Sequence, residues 1–295
     1  MDRTLLDRIT GEFTRLFAFF SVCILILIAL GLLVKSSQIL STNSLSDLLL
    51  SSDWRPSKGE FGFLPFITGT FIVTALTMAI SVPLCLMSAI YLTEYSGMRL
   101  RSLVKSGMDT LAGIPSVVFG LWGVLFIVPL VRDVVAPAFG VETSGYSILS
   151  GSVVLSVMVV PVILSIMEDV ILSVPEDLKE SSYALGATRW QTVKYVILPR
   201  TAHGLFSAVI LGFSRAFGET MAVLMVVGNV AVHANSIFDP AYPLTALIAN
   251  NYGEMLSIPL YDSALMFAAL TLLVIVVVFN IIARSILNRV KMEEY

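Results

Sequence analysis

Charge is scarce in this sequence. Only 13% of its 295 residues are charged, against 57% hydrophobic. A soluble domain carries a charged share of about 25% and could not hide so much apolar surface. The mean hydropathy of +0.90 points to the bilayer as the solvent for most of the chain. Histidine is scarcer still: there are two, His203 and His233, at opposite ends of one apolar stretch. That excludes a shared metal site and leaves no H-E-x-x-H motif. No nucleophile–base pair stands out inside the apolar runs, so no catalytic residue and no metal ligand is assigned. The two cysteines, Cys23 and Cys85, both fall inside apolar runs, which excludes a disulfide framework and suits small packing residues. The net charge of −3 comes without a basic cluster and argues against nucleic-acid binding. No G-x-x-x-x-G-K-[ST] phosphate loop is present, so the chain holds no nucleotide site of that kind and no cofactor is expected on it.

Long apolar runs are what the sequence does have. Six are read as membrane spans: 16–34, 63–92, 110–131, 147–167, 204–232 and 263–283. Each is about 20 residues or longer, enough to cross about 30 Å of hydrocarbon. Interior Gly and Pro do not veto such spans. The first run follows three basic and three acidic residues and has no A-x-A site after it, so it is read as a retained span. No charged or low-complexity linker divides residues 1–295, and a single all-α transmembrane domain is expected. Lys and Arg are distributed unevenly. Thirteen, among them Arg3, Arg8, Arg101, Lys105, Lys179, Arg189, Arg284, Arg289 and Lys291, fall on one side of the expected spans, and four, Lys35, Arg55, Lys58 and Arg132, on the other. The positive-inside rule makes the richer side cytoplasmic and puts both termini there.

The longest cytoplasmic connection, Glu168–His203, does not read as a plain loop. Ser173-Val174-Pro175-Glu176 has the S-x-x-E form of a capping box. Val174, Leu178, Ser181 and Leu185 then recur at helical spacing, and Gly186 suits a left-handed helix end. Thr188-Arg189-Trp190-Gln191 reads as a second capping box. Trp190, Val193 and Ile197 give the next helix an apolar face, with Pro199 expected to stop it. Two short cytoplasmic helices within 173–199, meeting at a glycine, are therefore predicted. Amphipathicity alone leaves two readings open: a pair resting on lipid headgroups, or a pair that meets a protein partner.

Residues Glu180-Ser181-Ser182-x3-Gly186-x9-Val196-x-Leu198-Pro199 resemble the EAA loop of ABC importer permeases, E-A-A-x3-G-x9-I-x-L-P. Serines replace the two alanines and valine replaces isoleucine. The segment Ala112–Gly123, AGIPSVVFGLWG, resembles the third span of phosphate importer permeases, and Phe61–Thr70 their entry to the second. Gly218-Glu219-Thr220-Met221-Ala222-Val223, with Gly228-Asn229 after it, is similar to the C-type rather than the A-type permease of that family. The resemblance implies a type I ABC importer (MetI-like) bundle in the inner membrane of a prokaryote. It implies that Glu180, Ser181, Ser182, Gly186, Val196, Leu198 and Pro199 dock an ATPase subunit. It also implies an A-type permease partner, two ATP-binding subunits that use ATP and Mg, and an extracytoplasmic phosphate-binding protein.

Arg215 and Glu219 stand inside the fifth apolar run. An ionisable residue at the centre of a span costs about 2.5–3.5 kcal/mol on insertion scales, so each needs a reason to be there. The i, i+4 spacing predicts a pair on one helix face. One reading is a static salt bridge that fixes packing. The other is a substrate path, in which the guanidinium fork matches phosphate oxygens and Glu219, Thr220 and Asn229 line the way. Conduction requires release, so a weak transit site is expected. Asp239–Pro243 breaks the outer connection, and 244–250 is read as a short helix, either an ordinary surface loop or part of an outer gate. Three function classes are open: an importer permease for phosphate or another oxyanion such as sulfate or molybdate, a secondary transporter, and an intramembrane enzyme. A secondary transporter predicts internal repeats, and none is evident.

Overall fold

A computed structural model describes residues 3–254, 258 and 260–292, and the side chains of 10–254, 258 and 260–285. The side chains of Arg3, Arg8, Arg289 and Lys291, counted above, lie outside that set. Eleven helices follow one another: α1 (Arg3–Thr42), α2 (Leu45–Leu50), α3 (Leu64–Tyr95), α4 (Met98–Ala112), α5 (Ser116–Ala138), α6 (Ile148–Leu172), α7 (Glu176–Ala184), α8 (Arg189–Phe217), α9 (Met221–Val226), α10 (Leu244–Asn251) and α11 (Tyr261–Met292). A two-stranded hairpin, Trp54–Arg55 with Glu60–Phe61, precedes α3. Six helices, α1, α3, α5, α6, α8 and α11, are long and apolar enough to cross a membrane. The described fold is all-α apart from that hairpin, as expected.

The bundle is centred on α3 and α6, which pack against each other most extensively. Small polar residues bring them together. The Thr77 hydroxyl donates to the Ser152 carbonyl (3.3 Å), and the Ser152 hydroxyl donates to the Val73 carbonyl (3.1 Å). In an apolar solvent such cross-helix bonds, with close approach at small residues, replace the hydrophobic drive of a soluble core. Helix α8 leans on α6 in the same way. A side chain at Gly204 or Gly212 would collide with Val170 or Ile163 of α6. Helix α1 packs along α11, and Ser263 stitches the two by accepting from Ile39 N–H (3.0 Å) and donating to the Lys35 carbonyl (2.9 Å).

Two expected boundaries are wrong. The third span does not run from 110: the chain breaks at Gly113-Ile114-Pro115, and α5 starts at Ser116. Pro115 cannot donate to a helix ladder and pushes Ile114 out of the helical region. The preceding residues form a separate amphipathic helix, α4. The fifth span does not run continuously over 204–232. It begins at Arg189 and ends at Phe217. Pro199 therefore does not stop the second cytoplasmic helix. The chain widens to a π turn at Val193–Ile197 and continues. The same device recurs before Pro129 and Pro137, behind π turns at Gly123–Ile127 and Val131–Val135. A proline ring clashes with the carbonyl four residues back and lacks the N–H that would bond it; widening by one residue relieves both. Of the remaining spans, α3 starts and stops near the expected 63 and 92, whereas α1, α6 and α11 run longer than 16–34, 147–167 and 263–283.

Between α8 and α11 the chain folds back into the bundle. The short helices α9 and α10 contact each other, with α9 against α5 and α6 and α10 against α3 and α11. Leu244, Ala246 and Leu247 are fully buried, so this stretch is not an ordinary surface loop. Its carbonyls at Val226, Ile237 and Asp239 accept from the N–H groups of Ser147, Leu149 and Ile148. They satisfy the otherwise orphan donors at the start of α6.

Candidate functional site

The predicted cytoplasmic helix pair is α7 together with the base of α8. The first expected capping box does not form. Pro175, not Ser173, precedes α7, and the Ser173 hydroxyl donates back to the Val170 carbonyl at the end of α6. The second does form: the Thr188 hydroxyl accepts from Gln191 N–H (3.3 Å), and the Gln191 side chain accepts from Thr188 N–H (2.8 Å). Gly186 adopts φ +83° as predicted. Around it, Gly186 N–H donates to the Tyr183 carbonyl and Ala187 N–H to the Ser182 carbonyl, the two bonds of a Schellman helix end. The Ser182 and Thr192 hydroxyls, 2.9 Å apart, tie α7 to the foot of α8.

The two helices use their apolar residues differently. At the foot of α8, Val193 and Ile197 are buried in the same cluster as Leu92, Ile171 and Val174, as expected for an apolar face. On α7 the expectation fails beyond Val174. Leu178 is exposed, and Leu185 is 89% exposed. The buried residue of α7 is Lys179, and its opposite face points away from the bundle. That outward surface carries Glu180 and Ser181, with Leu185 and Gly186 at the helix end and half-exposed Trp190 on α8. Val196 and Leu198 are part-buried, Ser182 is part-buried, and Pro199 is exposed.

Lys179 is held by charge. Its Nζ lies 2.9 Å from Glu94 Oε1, at the end of α3, and 3.4 Å from Glu176 Oε2. Burial works to lower its pKa; the hydrogen bond and charge of Glu94, with Glu176 behind it, outweigh burial and leave it above the ordinary lysine value. A second buried carboxylate, Glu168 at the end of α6, pairs with Arg101 of α4, and Lys105 lies 3.4 Å from Asp169. Composition does not reveal these partners. The available signal is a carboxylate just past an apolar run, as at Glu94 and Glu168, in a chain with cations in the facing connections.

The intramembrane charges are arranged differently from the sequence expectation. Helix α8 ends at Phe217, so Arg215 lies in its last turn and Glu219 lies beyond it. The i, i+4 rule therefore does not apply, and the ion pairs found among the described residues do not include Arg215 with Glu219. Glu219 turns to the backbone. One carboxylate oxygen accepts from Ala222 N–H (3.4 Å), and its carbonyl accepts from the Thr245 hydroxyl (3.0 Å). Thr220 is part-buried, its hydroxyl 3.4 Å from the Gly218 carbonyl. Asn229 has φ +54°, its amide donates to the Leu224 carbonyl (2.7 Å), and its buried Oδ1 accepts nothing from the described residues. It lines a cavity of about 320 Å³ with Tyr146, Gly228 and Pro240, away from the Arg215 turn.

Arg215 itself is exposed, on a stripe of α8 with Ser207 and Leu211. Ser207, Leu211 and Ser214 line a groove of about 430 Å³ with Asn280, Ile281 and Arg284 of α11. The Ser214 hydroxyl donates to Asn280 Oδ1 (3.3 Å). The chain thus presents two cations, Arg284 in the groove and Arg215 on the neighbouring stripe of α8, with several neutral hydrogen-bonding groups between them. A bare guanidinium there suits an anion or a facing chain, not lipid tails.

Comparison with known proteins agrees with this architecture. The family model of the binding-protein-dependent transport system inner membrane component matches residues 81–292. The chain is 39% identical over 281 residues to a probable ABC transporter permease protein, YqgH, of Bacillus subtilis, covering 92% of this chain and 89% of that one. It is 37% identical over 300 residues to the phosphate transport system permease protein PstC of Mesorhizobium japonicum, covering 97% and 91%. Among solved structures, a chain of a bacterial ABC transporter that imports alginate superposes with TM-score 0.62 at 17% identity, covering 97% of this chain and 99% of that one. A chain of the inward-facing MetNI methionine transporter superposes with TM-score 0.56 at 22% identity, covering 78% and 94%. The fold is that of ABC importer permeases, and the chain belongs to the family of binding-protein-dependent transport system inner membrane components, as a multi-pass membrane permease.

Proposed function

We propose that this chain is the C-type membrane subunit of an ATP-driven phosphate importer, working by alternating access beside an A-type permease. Two separate ATPase subunits, using ATP and Mg, grip it at α7 and the foot of α8, and an external phosphate-binding protein delivers the anion. Both termini face the cytoplasm in this reading. The side-chain pairs Arg101–Glu168, Lys105–Asp169 and Lys179–Glu94 join segments that the charge asymmetry assigns to that side. The relatives carrying the phosphate name, at 33–37% identity over most of the chain, support the substrate.

One observation carries the mechanism. Helix α8 runs over 29 residues from Arg189 to Phe217, about 43 Å at 1.5 Å per residue. The docking turn and Arg215 are thus two ends of one rod. A displacement imposed at Thr188–Thr192 reaches the arginine without passing through a loop. Arg215 offsets the desolvation of a passing anion, and its exposure keeps the contact weak enough for release. Glu219, Thr220 and Asn229 act from the re-entrant stretch beyond the helix end. The outward residues Glu180, Ser181 and Gly186, with Ser182, Val196, Leu198 and Pro199 shaping the turn beneath them, form the docking surface.

The test is uptake in vesicles holding all subunits, with phosphate, sulfate and molybdate as competing anions. Phosphate should be taken up in proportion to ATP consumed, and excess sulfate or molybdate should leave that rate unchanged. Preferential uptake of either competitor would replace phosphate by that oxyanion. Uptake that needs no ATPase subunit would establish a secondary transporter.

A further inference from the structure

Helix α7 is fastened to the bundle in an unusual way. Of its nine residues, Glu176–Ala184, the buried one is a lysine. The Lys179 side chain is 8% exposed and that of its partner Glu94 is 6% exposed. Leu178 and Leu185, which the helical spacing puts on one apolar stripe, are 39% and 89% exposed. Glu94 belongs to the π turn Tyr91–Tyr95 that ends α3, and α3 is one of the two central helices of the bundle. Next to it, Leu92 is buried with Val193 and Ile197 from the foot of α8.

We infer that the Lys179–Glu94 pair is a transmission joint that makes α3 follow α7 when the docked subunit moves. The inference rests on the docking role proposed for α7 and adds the positioning residues that carry its motion inward. Helix α8 needs no such joint, because its foot is part of the span itself. Helix α7 does, because four residues of chain separate it from α8 and only Ser173–Pro175 separate it from α6. An apolar stripe could slide along its neighbour with little change in energy. A buried ammonium–carboxylate pair cannot, because separating it strands two charges away from water. The pair therefore resists relative motion of α7 and α3 while leaving the outward face of α7 free for a partner. Glu176, 70% exposed on its side chain and 3.4 Å from Nζ, completes the ammonium's contacts from the solvent side.

The experiment uses the full complex in vesicles and reads phosphate taken up per ATP hydrolysed, along with retention of the ATPase subunit. Lys179→Met and Glu94→Gln should each keep the ATPase subunit and continue to hydrolyse ATP, while uptake per ATP falls by about fivefold or more. The charge swap Lys179→Glu/Glu94→Lys should recover the ratio to within about twofold. An unchanged ratio in both single variants overturns the inference. Loss of the ATPase subunit from the single variants also overturns it, since the pair would then shape the docking surface rather than transmit motion. A wild-type complex that retains no ATPase subunit would instead refute the docking role. A measurement that leaves the Lys179–Glu94 pair itself intact guards against pair variants that fail to fold. Spin labels replace exposed Tyr95 and Tyr183 in a background with Cys23 and Cys85 changed to Ala. Their separation should be the same in the nucleotide-free and ATP-trapped states. A change as large as one helical turn, about 5.4 Å, overturns the joint.

Discussion

Gly186 offers the sharpest test of the docking surface, because its environment separates strain from collision. Its φ is +83°, and a Cβ built there meets nothing within 4 Å. Any penalty on substitution is therefore conformational. A left-handed residue with a Cβ costs about 1–2 kcal/mol; a β-branched side chain at positive φ is worse, and about 2–3 kcal/mol is expected for valine. Asparagine tolerates this region best after glycine. The order of effect should thus be Asn, then Ala, then Val. The backbone can escape the strain only by giving up the Tyr183 and Ser182 carbonyl contacts, which resets the angle between α7 and α8. If the docking-competent angle is the strained one, its population falls by the same free energy, about 5- to 30-fold for 1–2 kcal/mol. The apparent affinity for the ATPase subunit weakens by that factor. The assay is phosphate uptake in vesicles titrated with purified ATPase subunit. Half-saturation should shift upward in the order given, and excess subunit should restore most of the rate in the Ala variant. A Val variant with native half-saturation and native uptake would refute the reasoning.

Arg215→Gln should cut phosphate uptake by about tenfold or more, as expected for losing one charge-assisted contact, while the complex still assembles. Because Arg215 and Glu219 are not paired in the chain, adding Glu219→Gln should not rescue uptake; near-normal transport in the double variant would return both residues to a packing role. Arg101→Ala leaves the Glu168 carboxylate buried and unpaired and should destabilise the detergent-solubilised protein by about 1–3 kcal/mol, read as a lowered denaturation midpoint; an unchanged midpoint contradicts that burial. The folded Lys179 pKa is raised, so the stability it supplies is complete below the ordinary lysine value and is lost only as pH rises through the higher folded value. Thermal stability should therefore show no Lys179-dependent change from neutral pH to about pH 10, and Lys179→Met should remove part of the alkaline fall beyond it; an equal alkaline fall in that variant counts against the pair. Cysteines at Ser173 and Ala187 should react only from the cytoplasmic side, and a cysteine at exposed Lys58 only from outside; labelling of Ala187 from outside intact cells would reverse the orientation.

Much of this protein was legible in its sequence, because the bilayer imposes a coarse rule. A run of about 20 apolar residues must satisfy its own backbone and becomes a helix, so six spans follow from composition and length. Local chemistry was legible too. The capping box at Thr188 and the left-handed turn at Gly186 depend on residues three to five apart in the chain. What failed was any inference that needed to know how a helix passes a proline or where it ends. Pro199 stops nothing, because a π turn absorbs its missing N–H and its ring. Gly218 ends α8 early, so the four-residue spacing of Arg215 and Glu219 does not place them on one helix face. Tertiary structure alone decided the partners of the buried charges. Glu94 and Lys179 lie 85 residues apart, and Arg101 and Glu168 lie 67 apart. Only the packing of α3, α4, α6 and α7 brings them together. Burying a charge is costly unless a partner arrives with it, so those pairs are fixed by the whole bundle and are invisible to any window of sequence.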